Sequence, residues 1–137
     1  RSFAFSNELG EITGYFAHHT LEEAIEISIE DYGKGSTDYG RAFRDFKKLC
    51  LKDLDSRSTV IVLGDSRNNY FSAGQDSLKE ISEKSRQLIW LNPEPRTQWQ
   101  IGDAEMKNYL PLCHVAETCN SLKDLERIVE KVLRTSQ

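Results

Sequence analysis

The spacing of apolar positions changes several times along this chain, and each change marks a predicted element. Residues 59–64 and 88–91 are short, almost wholly apolar runs bounded by turn residues, which predicts strands buried on both faces, as in parallel sheets. Residues 1–6 alternate aromatic and small side chains, and residues 11–16 mix glycine with polar residues. We predict two further short strands there, the second at a sheet edge. Residues 114–118 are expected to form the last strand.

Between the strands, apolar residues recur every three or four positions, which predicts amphipathic helices. Thr20 and Glu23 form a capping box that opens the first helix, and this helix is expected to end near Gly33. A second helix is predicted after the glycine-rich loop at 33–40, and a third over 75–87. A fourth is predicted over 103–110, where Pro111 is expected to end it, and a last one after Ser121. Strands alternating with helices predict one α/β domain over residues 1–137, with a doubly wound, mostly parallel sheet and helices on both faces.

Composition narrows the function classes. The net charge is −4, which argues against a dedicated nucleic-acid-binding protein with a basic face. Since no apolar run approaches the ~20 residues that cross a bilayer, we predict no membrane span. The three cysteines, Cys50, Cys113 and Cys119, form neither a C-x-x-C pair nor a disulfide framework, which favours a reducing compartment and hence the cytoplasm.

The first candidate for a functional residue is Asp65, which follows the apolar run at 59–64 and Gly64. Ligands of open α/β sheets bind at the carboxyl ends of the strands. A carboxylate there, beside small hydroxyls, can hold Mg²⁺ or Mn²⁺, since both prefer oxygen ligands. Two other interpretations stay open: an ordinary turn aspartate, and a phosphoryl-transfer or hydrolase domain that uses Asp65 as nucleophile or metal ligand. The latter lacks a second carboxylate just after a strand and a lysine placed to hold phosphate.

The second candidate is the loop at 35–38, which reads Gly-Ser-Thr-Asp. Serine, threonine and aspartate are all good helix N-caps, so capping alone is one explanation. The spacing of a phosphate-binding loop is absent and a predicted helix precedes the segment, which excludes that motif. A threonine hydroxyl at a helix N-terminus, here that of Thr37, can still donate a lone pair to a metal ion.

Three strings carry a wider similarity: G-S-T-D-Y-G at 35–40, V-L-G-D-S-R-N-N at 62–69 and I-W-L-N-P-E at 89–94. Together they resemble the von Willebrand factor A (VWA) domain, and most of all its intracellular bacterial CoxE-like branch. The similarity continues through Trp99 and Tyr109 into the closing helix and covers essentially the whole chain. W-L-N-P-E is a specific string, whereas an isolated G-D would not be.

The resemblance implies a doubly wound fold with a metal-ion-dependent adhesion site at the carboxyl ends of the central strands. In that family three loops build the site, and Thr37 matches the threonine of the second loop while Asp65 matches the aspartate of the third. The ion, usually Mg²⁺, keeps an open position that a partner protein's carboxylate fills. The resemblance thus implies a protein-interaction module rather than an enzyme, and a MoxR-type AAA+ ATPase as partner in the assembly or maturation of another protein. A VWA-like scaffold that binds without metal is a further alternative.

The chain departs from the family pattern in one respect. The first loop of the family's site, Asp-x-Ser-x-Ser, occurs nowhere in these 137 residues. In the family it ends a central strand that lies between the segments matched by 1–6 and 59–64. We therefore expect an upstream segment of the same protein, or another chain, to complete the sheet. With Thr37 and Asp65 alone, Mg²⁺ binding is expected to be weak or absent.

Overall fold

The computed structural model describes residues 1–135. From residue 59 onwards its strands and α-helices alternate. None of the described helices is long and apolar enough to cross a membrane. The strands are β1 (Phe3–Phe5), β2 (Leu9–Glu11), β3 (Thr59–Leu63), β4 (Gln87–Asn92) and β5 (Val115–Thr118). The α-helices are α1 (Thr13–His18), α2 (Leu21–Tyr32), α3 (Tyr39–Cys50), α4 (Gln75–Lys84), α5 (Met106–Tyr109) and α6 (Leu122–Thr135), and three short 3₁₀ helices cover Leu51–Asp53, Arg96–Gln98 and Leu110–Leu112.

The strands form two sheets. Strands β3, β4 and β5 lie side by side and parallel, with Val62 opposite Trp90 and Ile89 opposite Val115. Strands β1 and β2 pair as an antiparallel hairpin. Among the described residues no ladder joins β1 to β3. The parallel sheet flanked by helices confirms the predicted VWA-like α/β fold.

Aromatic side chains fill the core on one side of the parallel sheet. Trp90 of β4 is fully buried and stacks on Tyr109 with ring centroids 4.9 Å apart. Phe43 of α3 packs edge-on against both rings, and Tyr39 lies 5.6 Å from Trp90. Every residue from Leu88 to Asn92 is buried, so β4 is the buried strand that the sequence predicts at 88–91, and it is the middle strand of the parallel sheet.

The opposite side of the sheet is covered only in part. Ile128 of α6 packs on Ile89 and Leu91 of β4. On the neighbouring strand β3, Ile61 is 48% exposed and Leu63 is 66% exposed. The prediction that residues 59–64 are buried on both faces is therefore wrong for these described residues, because no helix among them covers this face of β3.

The prediction of a strand over 11–16 is also wrong. Strand β2 ends at Glu11, and the chain then enters the short helix α1. The Ile12 backbone N–H still donates to the Ser2 carbonyl at 2.8 Å, but the Tyr15 N–H turns back to the Ile12 carbonyl at 3.0 Å. The backbone therefore leaves the hairpin after Ile12 and closes a helical turn.

Helix ends follow the capping predictions more closely. Thr20 and Glu23 form the predicted capping box, which opens α2, and Ser121 accepts a hydrogen bond from the Asp124 N–H at the start of α6. The helix predicted at 103–110 starts later, since α5 covers Met106–Tyr109, and it ends before Pro111 as predicted. After α5 the backbone continues as the 3₁₀ turn Leu110–Leu112, where a proline in the first turn is tolerated because its missing N–H would have no partner there.

Candidate functional site

Thr37 and Asp65, which the sequence singles out independently, lie on one groove. The groove has a volume of about 460 Å³ and runs between β1 and the carboxyl end of β3. Both side chains are half-buried. The lining residues are Phe3, Ala4, Phe5, Thr37, Tyr39, Leu63, Gly64, Asp65 and Pro93. The groove therefore combines three oxygen-bearing side chains, those of Thr37, Tyr39 and Asp65, with an apolar wall.

The Asp65 carboxylate is held on one of its oxygens. Its Oδ1 accepts a hydrogen bond from the Arg67 N–H at 2.9 Å and a longer one from the Tyr39 hydroxyl at 3.4 Å. The Tyr39 hydroxyl in turn accepts from the Ser66 N–H at 3.2 Å. A side chain at Gly64 would collide with the Tyr39 hydroxyl, so only glycine lets the strand end this close to the ring. The described residues donate no hydrogen bond to Oδ2, which leaves that oxygen for a ligand.

Thr37 sits at the entrance to α3. The Asp38 side chain caps the helix by accepting from the Arg41 N–H at 3.0 Å, and the Asp38 N–H donates to the Ser6 carbonyl at 2.8 Å. The Thr37 carbonyl accepts from Asn69 Nδ2 at 3.0 Å. Asp38, rather than Thr37, does the capping, and the Thr37 hydroxyl has no hydrogen-bond partner among the described residues.

One buried amide joins the Thr37 loop to the Asp65 loop. Asn68 is fully buried, and its Oδ1 accepts from the Tyr39 N–H at 2.6 Å. Its Nδ2 donates to the carbonyls of Phe71 and Ser72 at 2.8 and 3.0 Å. Because the amide uses its acceptor on one loop and its donors on the other, the two loops hold a fixed relative position.

Arg67 anchors the same loop from the other side. Its guanidinium binds both carboxylate oxygens of Glu94 at 3.0 Å, the Asp103 carboxylate at 3.1 Å and the Ile101 carbonyl at 2.9 Å. These carboxylates raise the pKa of Arg67. Partial burial acts to raise the pKa of Asp103, but the Asn69 N–H and the Arg67 guanidinium lower it below its ordinary value. The Asp65 loop is thus fixed by a charged cluster.

The loop after Asp65 holds three non-glycine residues with positive φ: Ser66 at 64°, Asn69 at 52° and Tyr70 at 62°. Such conformations cost energy outside glycine and are found disproportionately at functional sites. Ser66 is fully buried, and its Oγ has no hydrogen-bond partner. The hydrogen bonds of Asn68 and Arg67 hold this strained backbone in place.

The described residues do not form a complete metal site. No group of three or more histidine, cysteine, aspartate or glutamate side chains among them could hold an ion. Thr37 and Asp65 offer one hydroxyl and one carboxylate oxygen, which suits a hard cation that keeps several waters. Their role as metal ligands stays a prediction.

Sequence reasoning did not assign roles to Tyr39, Arg67 and Asn68, which position the two candidates. All three lie inside the strings G-S-T-D-Y-G and D-S-R-N-N that carry the family resemblance. The strings marked these positions as part of the family pattern. They could not show that the Asn68 side chain accepts a hydrogen bond from the Tyr39 N–H.

Comparison with known families decides the classification. The family model for a VWA domain containing CoxE-like protein matches residues 1–128. The chain belongs to this VWA family. As a VWA domain, it is a protein-interaction module, and its candidate site lies at the carboxyl end of β3. No curated protein and no solved structure matches the chain.

Proposed function

We propose that this VWA domain binds a partner protein through a divalent cation, Mg²⁺ or Mn²⁺, that Thr37 and Asp65 help to hold. The observation that carries the proposal is their meeting on one groove although they are 28 positions apart in the chain. Asp65 Oδ2 and the Thr37 hydroxyl are both without a hydrogen-bond donor among the described residues. Oxygen ligands of this kind suit hard cations, and a partner carboxylate is a chemically matched further ligand.

Further ligands would have to come from outside the described residues. Within residues 1–135, strands β1 and β3 each pair on one edge only, and the groove with Thr37 and Asp65 opens between them. Free strand edges carry unpaired backbone donors and acceptors. We propose that a strand from an upstream segment of the same protein, or from another chain, fills this space. On its own, the present chain should then bind Mg²⁺ weakly.

Titration calorimetry with Mg²⁺ tests this part of the proposal. We expect a dissociation constant of about 1 mM or weaker for the 137-residue chain, and a further loss with Asp65→Asn or Thr37→Val. Asp55→Asn is the matched control, since it removes an exposed carboxylate that accepts from the Arg57 N–H in a turn outside the groove. It should leave the dissociation constant for Mg²⁺ unchanged. A micromolar affinity for the unmodified chain would contradict the account.

For the partner we propose a MoxR-type AAA+ ATPase acting in the cytoplasm on the assembly or maturation of another protein. The support is the family membership and the cysteine content, not a contact in the structure. Binding of a purified MoxR-type ATPase should depend on Mg²⁺ and be lost in EDTA. Binding that EDTA does not affect would favour the alternative of a VWA scaffold that recognises its partner by surface shape alone.

We propose no catalytic activity. The alternative of an Asp65-dependent phosphoryl-transfer or hydrolase domain needs a second carboxylate or a phosphate-holding lysine near Asp65. The only side chains that line the groove with Asp65 in the described part of the chain are apolar, apart from Thr37 and the Tyr39 phenol. Phosphatase activity that disappears in Asp65→Asn would support the enzyme, and its absence in both proteins would support the binding module.

A further inference from the structure

Two buried side-chain atoms at the carboxyl ends of neighbouring strands have no hydrogen-bond partner. They are the Ser66 Oγ, which lies just after β3, and the Asn92 Nδ2, at the end of β4. Both residues are fully buried. In the described part of the chain, no other buried side-chain nitrogen or oxygen lacks a partner. We call these two side chains the Ser66–Asn92 pair. Because leaving a buried polar atom unpaired costs free energy, the pair indicates a site for a ligand.

The two side chains lie on the same side of the parallel sheet. Asn92 follows Trp90 by two positions along β4, so its side chain projects to the side of the aromatic core, as the Trp90 ring does. Ser66 is on that side as well, since its N–H donates to the Tyr39 hydroxyl at 3.2 Å. The Tyr39 ring in turn packs against Trp90 with centroids 5.6 Å apart.

Contacts on both sides of the Ser66–Asn92 pair bring it to one level of the sheet. The Gly64 N–H donates to the Leu91 carbonyl at 3.1 Å, which joins the two chains just before the pair. The Arg67 guanidinium binds both carboxylate oxygens of Glu94 at 3.0 Å, which joins them again just after it. The segments that carry the two side chains are therefore fixed next to each other.

The remaining hydrogen bonds of the pair define what its ligand must offer. The Asn92 Oδ1 accepts from the Glu94 N–H at 2.9 Å, which fixes the orientation of the amide and leaves Nδ2 as a donor. The Ser66 backbone is fully used, because its carbonyl accepts from the Glu105 N–H at 3.0 Å. Its hydroxyl can both donate and accept. The ligand must therefore accept one hydrogen bond from Asn92 and exchange a second with Ser66.

We propose that the Ser66–Asn92 pair binds one buried water molecule, which accepts a hydrogen bond from Asn92 Nδ2 and forms a second with Ser66 Oγ. Water both accepts and donates, is small enough for a fully buried place, and is held in proteins by two to four polar groups of this kind. A cation does not fit, because Nδ2 presents only hydrogen atoms to it.

This water would tie the loop after Asp65 to the end of β4. Ser66 has a φ of 64°, a conformation that costs energy outside glycine. A hydroxyl bound through water to Asn92 offsets part of that cost and gives a physical reason for serine at this position. The inference goes beyond the proposed metal-dependent function and does not need the ion.

A crystal structure of the unmodified 137-residue chain, at a resolution that shows ordered waters, tests the proposal directly. We expect density for one water between the two side chains, at hydrogen-bond distance from both Ser66 Oγ and Asn92 Nδ2. A direct hydrogen bond between these two atoms, or no density between them, would overturn the proposal.

A double-mutant cycle measured by urea denaturation tests it in solution. Ser66→Ala should raise the equilibrium constant of unfolding about fivefold, because the water loses a partner. In the Asn92→Ala background the same change should have almost no effect. Ser85→Ala is the matched control, since it removes a buried hydroxyl that donates to the Ile81 carbonyl at 2.7 Å, at the other end of β4. Its effect should be the same in both backgrounds.

The cycle also has outcomes that the proposal excludes. Without a bound water, Ser66→Ala removes an unpaired buried hydroxyl, so it should leave the equilibrium constant of unfolding unchanged or lower it. That result would overturn the proposal, and so would an equal effect of Ser66→Ala with and without Asn92→Ala. If Asn92→Ala does not fold, the structure of the unmodified chain and the sign of the Ser66→Ala effect still decide.

Discussion

Asn68 Oδ1 accepts a hydrogen bond from the Tyr39 N–H at 2.6 Å and so connects two loops that lie 29 positions apart in the chain. One loop leads from Thr37 into α3, and the other follows Asp65 at the end of β3. The amide is fully buried, so water cannot take over its hydrogen bonds. The relative position of the two candidate ligands therefore depends on a side chain that does not itself face the groove.

Replacing this amide should destabilise the whole domain. Asn68→Ala removes three hydrogen bonds and leaves the Tyr39 N–H without a partner in a buried place, so we expect a loss of about 3 kcal/mol in the free energy of unfolding. Asn120→Ala, at an exposed position, is the control and should cost less than about 0.5 kcal/mol. Urea denaturation of both variants measures the difference. Equal losses would show that Asn68 does not join the loops.

Arg67 should not tolerate lysine. The guanidinium binds Glu94 with two parallel hydrogen bonds and also reaches Asp103, a geometry that a lysine ammonium cannot reproduce. We expect Arg67→Lys to lower the free energy of unfolding by about 1–2 kcal/mol. Arg57→Lys changes a pair that is exposed to solvent and should leave stability unchanged. Thermal unfolding followed by circular dichroism compares the two, and an unchanged midpoint in Arg67→Lys would contradict the anchoring role.

Gly64 should be irreplaceable for a steric reason. A Cβ at this position would meet the Tyr39 hydroxyl, which is held by Ser66 and Asp65. We expect Gly64→Ala to cost about 1–3 kcal/mol. At Gly14 of α1 a Cβ meets nothing within 4 Å, so Gly14→Ala should be neutral or stabilising by up to about 1 kcal/mol. Urea denaturation measures the free energy of unfolding of both variants. A larger loss in Gly14→Ala than in Gly64→Ala would refute the packing argument.

Alkaline pH should weaken the fold through its buried phenols. Burial raises the pKa of Tyr39, and so does the nearby Asp65 charge; burial likewise raises the pKa of Tyr109. Above about pH 10 the unfolded chain releases these protons while the folded chain keeps them. The unfolded state then binds fewer protons, so stability falls as the pH rises from that point and is unaffected below it. Denaturation at stepped pH should show this slope, and Tyr39→Phe should reduce it. An unchanged slope in Tyr39→Phe would count against a buried neutral phenol.

Much of the fold could be predicted because local signals agreed with it. The apolar run at β4, the capping box of Thr20 and Glu23, and the N-cap Ser121 each specify an element without help from distant residues. The failures have a common cause. At 11–16 the chain leaves the hairpin after Ile12, and on β3 the exposure of Ile61 depends on which helices cover the sheet. Neither the end of the ladder nor the cover of the sheet can be inferred from the local pattern.

The candidate site likewise has a part that local sequence signals predict and a part that they do not. Thr37 and Asp65 could be chosen as candidates because of their positions at a helix start and a strand end, together with the family strings, and their role as ligands stays a prediction. The support from Asn68 and Arg67 could not, since it consists of side-chain hydrogen bonds between loops far apart in sequence. An arginine or asparagine in a turn looks the same in sequence whether or not it is buried and bonded.

The central claim is that Thr37 and Asp65 together contact a divalent cation, and Mn²⁺ relaxation in an NMR spectrum tests it most directly, since paramagnetic broadening reports even weak binding. At low millimolar Mn²⁺ the account predicts selective loss of the amide signals around Thr37 and Asp65, recovery on adding excess Mg²⁺, and no selective loss in Asp65→Asn. Broadening centred on other carboxylates, or the same pattern in Asp65→Asn, would contradict it.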